Sequence, residues 1–201
     1  MTRGRWARVA SPFAAAAATV VAMALVAGAN DTDVTDPNDT KGKLDVRAVR
    51  LDHDTKTPKW TIVTASRWTN REMWDRGFIE VLLDTRRDEA AEYYLLVRTN
   101  RSNLEGSLWR LQRVGPDSYL GALRVSRPSR RSAAVEVQLW RLEFGDQRDF
   151  YRWWVHTVIT STVCPRTCHD QAPNGDPVLQ WRPGRSPTPS VTPSPSTTPT
   201  P

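Results

Sequence analysis

The chain has 201 residues and a formal net charge of +6, from 28 Lys and Arg against 22 Asp and Glu. That length allows one domain with appendages. The basic excess does not point to nucleic acid: once the first 29 residues are set aside, 25 basic side chains face 22 acidic ones, interspersed in sign, with only Arg86-Arg87 and Arg130-Arg131 as doublets.

Residues 1–29 read as a cleavable signal peptide. Arg3, Arg5 and Arg8 form a basic start, Phe13 to Ala29 carry no charge, and Ala27-Gly28-Ala29 offers a small-x-small cleavage site. The uncharged run is mostly Ala, which drives membrane insertion less than Leu does. The expectation is therefore an extracellular chain, free or associated with a cell wall, with no membrane span after cleavage. Residues 30–42 are rich in Asp, Thr and Asn and read as a disordered linker. Asp31, Asp33, Asp36 and Asp39 lack a glycine-turned loop at coordinating spacing, so no metal is expected there.

Residues 43–182 carry the folded unit. Its apolar positions recur with period two, or in short runs, and Pro, Gly and Asn/Asp clusters interrupt them every ten to fifteen residues. This predicts an all-β domain, a two-sheet antiparallel β-sandwich of jelly-roll or immunoglobulin-like type. Strands are predicted over 43–51, 58–67, 78–84, 92–99, 106–114, 119–127, 133–142, 150–160 and 178–182. The predicted core is Val49, Leu51, Ile62, Ile79, Val81, Leu83, Leu95, Val97, Leu111, Val135, Val137, Leu139, Val155 and Ile159.

The strands over 78–84 and 92–99 read as a hairpin. In 133–142 and 150–160, one apolar face alternates with a mixed face that carries Trp140 in the first strand and Trp154 in the second. If these two pair about a turn near Gln147, the two indoles sit side by side. Arg152, His156, Gln138 and Glu136 then become polar companions of an exposed ligand-binding platform. Cys164 and Cys168 are the only cysteines and read as a disulfide in an exported chain. A zinc site is not expected, because no second Cys/His pair accompanies them. Residues 183–201 hold seven Pro and nine Ser or Thr and read as a disordered, extended tail whose composition suits O-glycosylation.

Several short segments carry a family resemblance. They are Leu44-Asp45-Val46, Val81 to Thr85, Glu92-Tyr93, Val135 to Gly145, and Asp170-x-Ala-Pro-Asn-x-Asp176. Together they resemble secreted bacterial β-sandwich domains of the DOMON-like, carbohydrate-binding-module-9-like type. In the hairpin Asp84, Asp88 and Glu92 match the family's acids, but Arg86 replaces an acid, and Arg87 and Glu89 replace turn glycines. A guanidinium cannot coordinate a cation, so the resemblance implies no calcium at this turn. Such domains bind sugars or haem, or have no assigned role.

No catalytic residues are expected. The chain lacks a Gly-x-Ser-x-Gly elbow, a Gly-rich phosphate loop and a His-Glu-x-x-His helix. No cofactor is expected either: a haem would need an axial pair, and nothing links Met73 to His156. The expected function is non-catalytic binding of a glycan or a cell-wall component, through Trp140, Trp154, Arg152, His156 and Gln138. The alternative is an extracellular module that binds a protein, such as a cell-surface partner, and has no sugar site.

Overall fold

A computed structural model describes residues 31–53, 57–144 and 150–181. The expected signal peptide, the Pro-rich tail and the turn at Gln147 lie outside the described residues. More than half of the described residues are in strands, and every strand pairing is antiparallel.

The strands in chain order are β1 (Thr32–Thr35), β2 (Val46–Asp52), β3 (Lys59–Thr64), β4 (Gly77–Asp84), β5 (Tyr93–Thr99), β6 (Leu104–Arg110) and β7 (Ser118–Ser126). They continue with β8 (Ser132–Glu136), β9 (Phe150–Ser161), β10 (Cys164–Ala172) and β11 (Val178–Trp181). Among the described residues one short helix, α1 (Asn70–Met73), lies between β3 and β4, and a single 3-10 turn spans Leu139–Arg141. All nine predicted strands coincide with observed ones. β1 and β10 are not among the predicted strands.

The all-β, antiparallel expectation holds. In place of two separate sheets, however, the strands form one continuous sheet in the order β1-β2-β3-β8-β7-β6-β5-β4-β9-β10, with β11 beside the first half of β9. The sheet curls nearly into a barrel. Among the described residues, side chains rather than a backbone ladder join β9 and β10 to the start of β2. The Thr157 hydroxyl on β9 donates to the carbonyl of Leu44 at 2.7 Å, and the Asp170 carboxylate on β10 accepts the N–H of Val46 on β2. Each bond satisfies a backbone group that a flat sheet edge would leave to water.

The interior is built from the inward phase of each strand. Trp60, Tyr151 and Trp153 meet at its centre, with Trp60 edge-on to the other two at 6.4 Å. Every predicted core residue is buried except Leu111, which is half-buried just beyond the end of β6. Residues 31–42 correct the linker reading. They contain β1, which pairs with β2, and a loop whose Asp36 and Gly42 are buried. A side chain at Gly42 would meet Ile159 Cγ2 at 2.8 Å and Cys168 Cβ at 3.2 Å, so this close approach of the loop to β9 and β10 requires glycine. Cys164 and Cys168 form the expected disulfide.

Candidate functional site

Burial alternates without interruption along β9. Tyr151, Trp153, Val155, Thr157 and Ile159 face the core, while Arg152, Trp154, His156 and Val158 face outward and are half-buried. The outward phase of β4 and β5 includes Leu82 and Tyr94, and that of β6 includes Trp109. Strand register then decides which outward side chains become neighbours. Trp154 lies opposite Leu82, Leu82 opposite Tyr94, Tyr94 opposite Trp109, and Trp109 opposite Tyr119. These five residues form one row running across β9, β4, β5, β6 and β7.

Two contacts within the row are aromatic. Tyr94 and Trp109 stack with ring planes 4° apart and centroids 6.1 Å apart, and Trp109 meets Tyr119 at 5.3 Å and 62°. Tyr119 is the most open member, at 57% exposure. Polar bonds fix the rings. The Trp109 indole donates to Ser107 Oγ at 2.8 Å, and the Tyr94 hydroxyl donates to Asp117 at 3.3 Å. Burial, then the Asp117 charge, pushes the Tyr94 phenol up to about 12, so it remains a neutral donor at ordinary pH.

A polar row runs one step away along the strands, where Gln171 lies opposite His156 and His156 opposite Glu80. His156 Nδ1 lies 3.4 Å from Glu80, and its other ring nitrogen lies 3.3 Å from His169 Nδ1. A groove of about 420 Å³ borders the open end of the aromatic row, lined by Arg98, Glu105, Ser107, Trp109 and Tyr119 among others. Flat apolar rings beside fixed donors and acceptors can take a ligand that presents both C–H faces and hydroxyls.

The structure separates the residues expected to form the platform. β8 ends at Glu136 and pairs with β3 and β7, never with β9. Trp140 and Trp154 are therefore not cross-strand neighbours, which corrects the predicted pair. Trp140 is 79% exposed on the 3-10 turn, whose Arg141 donates to the carbonyls of Leu120 and Ala122. Gln138 is exposed just before that turn. Glu136 closes β8 opposite Lys59 and Arg124. Trp154 and His156 do share the outer face. Arg152 shares it too, farther along β9 and 4.0 Å from Glu89.

Tyr94, Trp109 and Tyr119 are not among the site residues that the sequence points to. Each is an isolated aromatic on its own strand, and only the register brings them together. A second gathering was equally invisible. Lys43, Arg67, Arg71, Arg101, Arg127 and Arg130 line a groove of about 670 Å³ with Glu72 as its one acid. Arg127 is engaged there by the Trp68 carbonyl, Asn70 Oδ1 and the face of Trp68.

Two sets of carboxylates complete the picture. At the β4–β5 turn Asp84, Asp88 and Glu92 converge. Asp84 accepts the backbone N–H groups of Arg86 and Arg87, Glu92 accepts the backbone N–H and the hydroxyl of Thr85, and Arg113 pairs with Asp88. Arg87 and Glu89, expected to replace turn glycines, do adopt positive φ of 62° and 68°. The other set joins Asp36 and Asp39 of the β1–β2 loop to Asp170 of β10. Comparison with protein-family models, curated proteins and solved structures finds no match, so relatives add no support to the family resemblance.

Proposed function

We propose that this protein is an extracellular, non-catalytic binding module whose outer face takes a glycan chain. The observation that carries the reading is the row Trp154, Leu82, Tyr94, Trp109 and Tyr119. Adjacent strands lie about 4.8 Å apart, so a row across five strands extends roughly 19 Å, enough for several sugar rings end to end. The C–H faces of those rings stack on the aromatics, while Ser107, Glu80 and His156 address the hydroxyls. The Cys164–Cys168 disulfide is compatible with an oxidising exterior.

The test is a titration of intrinsic Trp fluorescence with a panel of polysaccharides. Trp109→Ala and Trp154→Ala each weaken the response at least about tenfold, as expected for loss of a stacking ring, and Trp140→Ala leaves it unchanged. Silence toward every polysaccharide, or wild-type binding by Trp109→Ala, overturns the reading. The second reading, a protein partner, rests on the bare indole of Trp140, a residue type that anchors protein interfaces. Its mark is capture of a partner that Trp140→Ala abolishes and Trp109→Ala does not.

A further inference from the structure

The β1–β2 loop and β10 bring together four carboxylates: Asp36, Asp39, Asp45 and Asp170. Asp36, Asp45 and Asp170 are 8%, 1% and 6% exposed, so three of the four are withdrawn from water. Some of their oxygens are spoken for. Asp45 Oδ1 accepts the Thr40 N–H at 2.8 Å, Asp170 Oδ2 accepts the Val46 N–H, and Asn174 Nδ2 donates to Asp39 at 2.7 Å. Thr40 Oγ1 lies 3.4 Å from Asp170 Oδ1. Backbone N–H groups of Asn174 and Asp39 also reach the Asp36 and Asp45 carboxylates, but Asp36 Oδ2 and Asp45 Oδ2 are buried without a hydrogen-bond partner.

A buried carboxylate oxygen without a donor is a high-energy arrangement that proteins relieve with a cation or a proton. No lysine or arginine among the described residues forms an ion pair with any of the four. Burial, then the like charges of Asp170, Asp39 and Asp45, hold the Asp36 carboxyl well above the usual range, at about 6, against a backbone hydrogen bond from Asn174. The Asp84 set at the β4–β5 turn also holds a buried oxygen without a donor, Asp84 Oδ2, but a cation is already present there, since Arg113 pairs with Asp88.

We propose that Asp36, Asp39 and Asp170, with Asp45 behind them, form a calcium site that ties the β1–β2 loop to β10. One oxygen from each of the first three lies within 4.8 Å of the others. Three oxygens this close need only a small side-chain adjustment for one ion to reach all of them at calcium–oxygen distances of about 2.3–2.6 Å. The donors are all hard oxygens, with no thiolate or imidazole in the set, which excludes a zinc preference. A loop supplying most of the ligands tolerates the larger, irregular coordination shell of calcium better than the strict octahedron of magnesium. The site stands independently of the aromatic face.

The experiment uses the full chain, stripped with a chelator and titrated with calcium chloride by calorimetry, with thermal unfolding followed in parallel. The expected result is one calcium per chain and a rise in Tm that chelator reverses. Asp36→Asn and Asp39→Asn each weaken calcium binding at least about tenfold. Asp39 is exposed, so its variant keeps the fold and the test stays readable even if Asp36→Asn unfolds. Asp88→Asn, in the other acidic set, binds calcium within about twofold of wild type. Absence of binding, wild-type affinity in Asp39→Asn, or loss of binding in Asp88→Asn with retention in Asp36→Asn overturns the site. An equal response to magnesium overturns its assignment to calcium.

Discussion

Among single residues, His53 shows how burial sets chemistry. It is fully buried, its Nε2 lies 2.8 Å from the Tyr151 hydroxyl, and its Nδ1 has no hydrogen-bond partner. Burial lowers its pKa from 6.5 to about 4, against the opposing pull of Asp31 and Asp52. The folded state therefore keeps the ring neutral where the unfolded chain already binds a proton. Its contribution to stability is intact above about pH 6.5 and declines as pH falls toward about 4, by up to about 3 kcal/mol. The unfolding free energy of wild type relative to His53→Gln should fall by that amount over this window. A difference that stays constant with pH would mean that the ring ionises in place. The sequence revealed the orientation of residues better than their neighbours. The alternation along 150–160 put Trp153 inside and Trp154 outside, as found. It could not reveal that Tyr94, Trp109 and Tyr119 share a row with Trp154, because these residues come from three other strands that meet only through register.

β1 and β10 leave no mark in the sequence for a shared reason: their stability comes from pairing, not from an apolar stripe. β1 offers only Val34 to the core, and β10 (Cys-Pro-Arg-Thr-Cys-His-Asp-Gln-Ala) has no apolar alternation. Both are held by a backbone ladder to a longer neighbour. The predicted strand 133–142 ran too far for the opposite reason. Val137 and Leu139 are buried, so the inward pattern continues after β8 has ended and the backbone has curled into a 3-10 turn. Helix α1 is a single turn, too short for any periodicity, yet its start is written in the sequence. The Thr69 hydroxyl accepts the Glu72 N–H while Glu72 accepts the Thr69 N–H, a reciprocal cap that seats Met73 in the core. Thr69→Ala should cost about 1 kcal/mol, read as a lower denaturant midpoint with an unchanged m-value. No change in midpoint would mean that packing of Met73 alone holds the turn.

Across the whole molecule, the decisive feature is how the sheet closes. Among the described residues ten strands run in one unbroken order, and the sheet closes where Thr157 and Asp170 reach the backbone of residues 44 and 46. Nothing in a linear pattern distinguishes this closure from two facing sheets, since both need the same inward and outward alternation. Thr157→Val keeps the shape and removes the buried bond, leaving the Leu44 carbonyl without its donor. It should lower stability by about 1–3 kcal/mol and speed amide hydrogen exchange at Leu44 and Val46 more than at β5 or β6. Uniform acceleration across all strands would show that the seam opens only with global unfolding.

The aromatic row crosses its strands nearly at right angles, and β-sheets are twisted, each strand rotated about 20–25° from the last. Over four strand-to-strand steps, the surface under Trp154 and the surface under Tyr119 turn away from one another by roughly 80–100°. The rings thus climb like the treads of a spiral stair. A rigid crystalline fibre could rest on one or two treads, whereas a single pliable chain can wind along all of them.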